Sequence, residues 1–454
     1  MSETGSQPIH SVALDRDKCV GCTNCIKRCP TRAIRVRGKK AQILSERCID
    51  CGECVRICEH HAKIPVYDPL SRMDDFEFKV ALPAPSLYGQ FNELTDVNIL
   101  LTALLKMGFD RVYEVAHAAE IVSAMSRAYV AEHPEQWPII STACPTIVKL
   151  IYTSFTGLID HLLPIQPPVE IAAALAREAV MKETGLPSEK IGIFFISPCP
   201  AKVSSCREPI GVKKTEVDVT LAIKDVYLKL VPLMKDVAED MDTLQDIARA
   251  GRIGIGWGIS GGEAAGLIND SYLAADGIEN CKRVLNDLED DKYPHLQFVE
   301  LDACPGGCVG GVLTVENPYL AKTKMIALRK YLPVSGAPAD LPSIGNWTEE
   351  VQPRPFSSLG NTFQENLKLV MKVEELASHF PGLDCGACGA PTCHSLAGDI
   401  VRGEAKETDC IYVLMEYIRR FATEVTRETQ VITSATNPAD TEGGTYSHDD
   451  KESD

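Results

Sequence analysis

Eighteen cysteines, most of them closely spaced, constrain this 454-residue chain more than any other feature. Eight form a duplicated run near the N-terminus: Cys19, Cys22, Cys25 and Cys29, then Cys48, Cys51, Cys54 and Cys58. Four more, Cys385, Cys388, Cys393 and Cys410, gather near the C-terminus, and six (Cys144, Cys199, Cys206, Cys281, Cys304 and Cys308) are scattered between. Clustering of this kind serves metal ligation rather than a disulfide framework. It also divides the chain. We expect modules at 10–75 and 76–345, a linker and helix over 346–375, a third module at 376–430, and an acidic, disordered tail over 431–454.

Lys plus Arg number 46 against 63 Asp plus Glu, a formal charge of −17. That balance argues against a nucleic-acid partner, whose phosphates recruit cations. No run of about 18 apolar residues predicts a membrane span. The opening MSETGSQPIH lacks a charged segment leading into an apolar one, so a cytoplasmic location is expected. In the middle of the chain, apolar runs at 78–82, 137–140, 191–196, 253–257 and 298–301 read as strands. Helical periodicity fills 97–105, 121–129, 169–182 and 223–229 between them. The alternation predicts an α/β fold with a mostly parallel sheet, its cysteines at strand ends and loops. Residues 362–380 and 410–425 read as helices that bracket the last cysteine group.

The N-terminal run is C-x2-C-x2-C-x3-C twice over, with Pro30 after the first copy and Glu59 in its place after the second. In this run the fourth cysteine serves the other cluster. The expected sets are therefore Cys19, Cys22, Cys25 and Cys58 on one [4Fe-4S] cluster, and Cys29, Cys48, Cys51 and Cys54 on another. Structural zinc, which prefers paired C-x2-C units, is the competing reading, and the duplicated register disfavours it. The segment resembles the two-cluster ferredoxins, which implies electron transfer. His60 and His61 read as loop residues, because the thiolate count is complete without them. Seven cations, Lys27, Arg28, Arg32, Arg35, Arg37, Lys39 and Lys40, crowd the same module. They read either as a solvated face or as a docking patch for an acidic carrier.

Three central motifs stand out: Ser141-Thr-Ala-Cys144-Pro145, Ser197-Pro-Cys199-Pro-Ala-Lys202, and Glu300-Leu-Asp302-Ala-Cys304-Pro-Gly-Gly-Cys308-Val-Gly-Gly311. Cys144, Cys199, Cys304 and Cys308 supply four thiolates, enough for one cubane, and Lys202 places a cation beside them. Across roughly 80–345 the sequence resembles the catalytic domain of [FeFe]-hydrogenases, with an N-terminal ferredoxin-like domain, a two-lobed α/β hydrogenase domain and a small helical C-terminal Fe-S domain. The resemblance implies an H-cluster, a [4Fe-4S] cube joined through one cysteine to a diiron unit with CO, cyanide and a bridging dithiolate amine. By motif match Cys144, Cys199 and Cys304 would hold the cube, Cys308 would also bridge to the diiron unit, and Lys202 would hydrogen-bond a cyanide.

The departures from that family pattern matter as much. The proton-relaying cysteine of the first motif is Ala143, whose methyl group carries no exchangeable proton. The methionines of the second and third motifs are Ser197 and Asp302, the tryptophan after the first is Ile147, and the paired upstream acids give way to Ala124-Met125-Ser126. The resemblance is thus to a divergent subgroup. Cys206 and Cys281 read as small buried hydrophobes, with Cys206 a weaker candidate proton donor. Cys385-x2-Cys388-x4-Cys393-x16-Cys410 resembles small appended [4Fe-4S] domains, with zinc the alternative and His394 a bystander. Three accessory [4Fe-4S] clusters are then expected besides the H-cluster. The implied activity is interconversion of H2 with protons and electrons, passed to ferredoxin or a similar carrier after loading by H-cluster maturation proteins. The alternatives are a low-turnover H2 sensor that signals to a partner, and an assembly or scaffold protein without diiron.

Overall fold

The computed structural model describes residues 10–92, 94–354 and 362–435. The chain separates into two compact units, one through Asn361 and one from Thr362.

In the first unit, four short strands, β1 (Val12–Leu14), β2 (Ile34–Arg37), β3 (Lys40–Ile43) and β4 (Lys63–Pro65), make two antiparallel pairs, β1 with β4 and β2 with β3. The β2–β3 hairpin turns on Gly38-Lys39, both at positive φ, which suits a two-residue turn of the primed type. Val12, Ile26, Ile34, Ala41 and Ala62 form a small core with the cysteines, two short helices (Asn24–Arg28 and Glu53–Arg56) carrying the third cysteine of one copy each, Cys25 and Cys54.

Two parallel sheets follow. β5 (Phe78–Pro83), β6 (Arg111–Val112), β8 (Ile191–Ser197) and β9 (Val219–Ala222) stand in the order β6-β5-β8-β9. β7 (Ile139–Ile140), β10 (Tyr272–Asp276) and β11 (Phe298–Asp302) stand as β10-β11-β7. Every residue of β8 is buried, as expected of a central parallel strand covered on both faces. The architecture is α/β, as the alternation of apolar runs implied, with the two lobes that the family resemblance implied.

The run at 253–257 is a helix, Arg252–Gly256, and not a strand. Its I-G-I-G-W alternation imitates a period of two. The glycines serve a different purpose: a Cβ on Gly254 would lie 2.1 Å from the carbonyl oxygen of Ala116. The segment is thus pressed against the helix Val115–Glu132, and Glu120 there accepts from the backbone N–H groups of Gly251 and Gly254. Cys206 and Cys281 also depart from expectation, lying within the helices Pro200–Arg207 and Ile278–Glu289 rather than in loops.

Residues 346–354, expected as the start of a linker, are strapped to the α/β body. The backbone N–H of Trp347 donates to Pro164, that of Thr348 to Gly211, and that of Arg354 to Tyr152. The rest of that expected linker, 355–361, lies outside the described residues. The second unit holds the helices Phe363–His379, Cys393–Val401 and Ile411–Ala435. The last of these continues past residue 431, where the tail was expected to begin; the remainder of the tail is outside the described residues. Among the described residues, no helix is long and apolar enough to cross a membrane.

Candidate metal centres

The two N-terminal cysteine runs interleave in space. Burial pushes the Cys25 thiol up to about 11, with Lys63 opposing and Cys22, Cys19 and Cys58 reinforcing the rise. Burial likewise raises Cys51, and there the reinforcing neighbours are Cys29, Cys54 and Cys48. Backbone N–H groups already point at sulfur: Ala33 to Cys29 at 3.2 Å, Ala62 to Cys58 at 3.2 Å and Ala41 to Cys19 at 3.4 Å. Four thiols this close resist joint ionisation unless a cationic core lies between them. The donor chemistry therefore fits iron–sulfur clusters. Sequence reasoning overlooked His10 and Asp50, whose ligand-type atoms lie within 4.8 Å of each other and of Cys48. His60 and His61 are exposed.

Of the seven cations in this module, Arg35 is buried and donates to the carbonyls of Arg32 and Ile34. Lys40 is held by the carbonyls of Arg16 and Cys19. Neither belongs to a solvated face. Lys27, Arg28, Arg32 and Lys39 are exposed, as is Cys22.

The module is tied to the α/β body beside the central cysteines. Arg56 donates to the carbonyl of Gly310 at 2.8 Å, Thr146 to that of Ile49 at 3.3 Å, and buried Lys149 pairs with buried Asp50 at 3.2 Å. Cys144 and Cys199 each immediately precede a helix that opens with proline, Pro145–Ser154 and Pro200–Arg207. Cys304 follows β11, and Cys308 begins a short 3-10 turn. Burial raises Cys304, with Cys199, Cys144 and Cys308 adding to it and Arg56 opposing. The structure thus brings all four central thiols together. Two glycines of the third motif explain why that motif tolerates no side chain there. Gly307 sits at φ 94° and a Cβ on it would lie 2.4 Å from Ser260 N, while one on Gly311 would lie 2.2 Å from Pro198 O. The third motif is therefore pressed onto the second.

Lys202 reaches from the second motif to the third, its Nζ 3.7 Å from Cys308 Sγ and 3.3 Å from the carbonyl of Ala143. Burial works against the ammonium, but the thiolates of Cys308, Cys199 and Cys144 and the Asp302 carboxylate hold it above its ordinary value. Lys202, Cys308 and Ala143 line one cavity together with Pro198, Glu263 and Asp302. A cation and a thiol of the four-cysteine set share one cavity wall, which fits a second, anion-bearing metal unit next to a cube.

Glu263 is the residue that sequence reasoning missed. It lies far from every motif in sequence, yet Ser141 Oγ donates to its Oε2 at 2.6 Å, and the N–H of Ala143 donates to Ser141 Oγ at 3.2 Å. Burial raises its carboxyl to about 8. Glu300, which accepts from the N–H groups of Gly261 and Ala264, is raised by burial and then by Asp302 and Glu263. Cys281 donates to the carbonyl of Asp302 at 3.3 Å and packs in the core, whereas Cys206 lines a second cavity with Ala143, Lys202 and Glu170.

In the second unit, Thr392 caps the helix Cys393–Val401, and Asp384 accepts from the N–H of Cys393 at 2.7 Å. These bonds fix the loop that carries Cys385 and Cys388. Cys410 is buried directly ahead of the helix Ile411–Ala435, and His394 turns to Glu374 at 3.0 Å.

A family described as iron only hydrogenase large subunit, C-terminal domain, matches residues 77–269 and 262–312. A 4Fe-4S dicluster domain matches 11–59, and a putative Fe-S cluster domain matches 380–412. The periplasmic [Fe] hydrogenase large subunit of Nitratidesulfovibrio vulgaris is 24% identical over 370 residues, which cover 67% of this chain and 86% of that one. An NADP-reducing hydrogenase subunit of Solidesulfovibrio fructosivorans is 23% identical over 67% of this chain and 57% of its own length. A probable cytosolic Fe-S cluster assembly factor of Caenorhabditis elegans is 22% identical over 50% of this chain and 60% of its own length.

Proposed function

This chain belongs to the iron-only hydrogenase large-subunit family, and from that premise we propose that it interconverts H2 with protons and electrons in the cytoplasm, passing electrons to a soluble carrier such as ferredoxin. The observation that carries the proposal is Lys202 Nζ at 3.7 Å from Cys308 Sγ, on the wall of a cavity beside the four central thiols. A cubane alone has no use for a cation and an open cavity at one of its ligands, so an assembly or scaffold role without diiron is disfavoured.

On this reading Cys144, Cys199, Cys304 and Cys308 would hold the cube of an H-cluster, and Cys308 would be the thiol shared with its diiron unit. When bound, that unit supplies the metal at which the H–H bond is made or broken. Lys202 would hold an anionic ligand of that unit through its ammonium. The accessory sets are Cys19, Cys22, Cys25 and Cys58; Cys29, Cys48, Cys51 and Cys54; and Cys385, Cys388, Cys393 and Cys410. They lie in modules at 10–75 and 376–430. Ala143 holds no exchangeable side-chain proton, so proton transfer falls to Ser141 Oγ and Glu263, which bond each other at 2.6 Å, Glu263 lining the cavity. A carboxyl raised to about 8 is largely protonated at neutral pH and can return a proton to the site.

Ala143 also favours a second reading, slow turnover that serves H2 sensing. Assay of H2 evolution with a reduced dye and with reduced ferredoxin, on protein carrying its matured cofactor, tests the proposal. Sustained turnover supports the enzyme, a trace rate supports the sensor, and no H2 chemistry with a fully loaded site refutes both.

A further inference from the structure

Lys63 stands where the N-terminal module should have an apolar side chain. Burial alternates along β4: Lys63 is 4% exposed and Pro65 is buried, whereas Ile64 between them is 39% exposed. The duplicated cysteine run shows what is unusual in this. Ala33 and Ala62 each lie four residues after the last cysteine of their copy, and each donates its backbone N–H to that sulfur at 3.2 Å. The next residue opens a strand in both copies, Ile34 in the first and Lys63 in the second. Ile34 packs in the small core of the module. The second copy puts an ammonium at the matching position.

A lysine is almost never buried without a partner, because its charge loses its hydration. Lys63 Nζ is nevertheless shielded from solvent and has no hydrogen-bond partner among the described residues. The groups that feel its charge are thiols. Burial raises Cys25 and Cys54, and at each of them the Lys63 ammonium is the largest influence opposing that rise. Cys25 and Cys54 are the third cysteines of the two copies, and Cys25 itself adds to the rise of Cys54, so the two stand near each other. They belong to different expected cluster sets. The buried charge therefore acts on both sets rather than on one.

We infer that Lys63 tunes the two N-terminal clusters: its ammonium is a fixed positive charge, buried between them, that stabilises each in its reduced form and so raises both reduction potentials. On reduction each cluster gains one electron, and with it one negative charge, from the central site or from a reduced carrier; no proton moves. Net charge and solvent exposure are among the levers that set such potentials. A unit charge about 8 Å away, at an effective dielectric constant of about 20, shifts an equilibrium somewhat more than tenfold. The module thus draws electrons more readily than it would with an isoleucine in both copies. The inference rests on the reading that this module holds two [4Fe-4S] clusters, and it does not depend on the diiron unit.

The test is a redox titration followed by electron paramagnetic resonance on the full, cluster-loaded chain, with iron and sulfide content measured alongside. Lys63→Met keeps the reach of the side chain and removes its charge, whereas Lys63→Arg keeps the charge. In Lys63→Met the midpoints of two clusters are expected to fall by about 59 mV or more, which is a tenfold change for a one-electron couple, with the other midpoints unmoved. Lys63→Arg is expected to hold the wild-type values. Two intact clusters with unmoved midpoints in Lys63→Met would overturn the inference. So would an equal fall in Lys63→Arg, since packing and not charge would then set the potentials. Loss of the clusters from Lys63→Met would overturn it too, because the charge would then build the module rather than tune it. A wild-type chain whose N-terminal run holds no pair of [4Fe-4S] clusters would overturn the underlying reading, and the inference with it.

Discussion

Three side chains around the central cavity carry the account at the residue scale. Removing the Cys308 thiol with Cys308→Ala is expected to leave a cubane on three cysteines and to eliminate both the diiron unit and H2 activity, read by iron content, infrared and H2 assay. Glu263 is tested through pH. Its carboxyl is raised, so the protonated form, and whatever stability it contributes, is present at low pH and lost as pH climbs through about 8. The H2-evolution rate is expected to fall above that value. Glu263→Gln keeps a partner for Ser141 but carries no transferable proton, so the rate is expected to drop by about 10²–10⁴-fold, the usual worth of a positioned acid, and the pH limb to vanish. An unchanged pH profile in that variant would remove Glu263 from the proton route. Ala143→Cys restores a thiol but not the missing acids at 124–126, so a gain well under that range is expected. The cysteines and Lys202 were legible in sequence because their spacing is local. Glu263 was not, because only the packing of the helix Gly262–Ala265 onto the β10-β11-β7 sheet brings it to Ser141.

At the scale of elements, the buried apolar runs revealed the central strands β5, β8 and β11 directly. β6 and β9 span only two and four residues, and no residue of β10 is fully buried, so none of the three makes an apolar run of its own. The 253–257 run misled for a different reason: its alternate glycines answer to the close approach of a helix and not to a pleat. Among the contacts that hold the N-terminal module against the body, one is an ion pair. Lys149 and Asp50 are an ion pair with almost no exposure on either partner. Lys149→Met leaves Asp50 as an uncompensated buried charge and is expected to destabilise by about 3–5 kcal/mol. The apparent melting midpoint of the cluster-loaded protein should fall accordingly, whereas the same substitution at exposed Lys213 should not move it.

For the whole molecule, the contrast between an acidic chain of −17 and the exposed cations of the N-terminal module motivates a test of that module as the docking patch for an acidic carrier. Complementary charge mainly accelerates encounter and is screened over about 8–10 Å at 0.1–0.15 M salt. Ferredoxin-linked turnover at low carrier concentration should therefore fall with salt, and turnover with a neutral dye should not. Replacing Lys27, Arg28, Arg32 and Lys39 with Gln should abolish that salt dependence; Arg35 and Lys40 are excluded because their contacts are structural. Indifference to both salt and substitution would move the electron exit to the set of Cys385, Cys388, Cys393 and Cys410. All of this presupposes a diiron unit next to Cys308 and Lys202, and an infrared spectrum of the matured protein tests that most directly. The account predicts bands from metal-bound CO and cyanide, with the cyanide bands shifted in Lys202→Met. A fully iron-loaded, matured protein with no such bands would contradict it and leave a cubane protein of the assembly-factor kind.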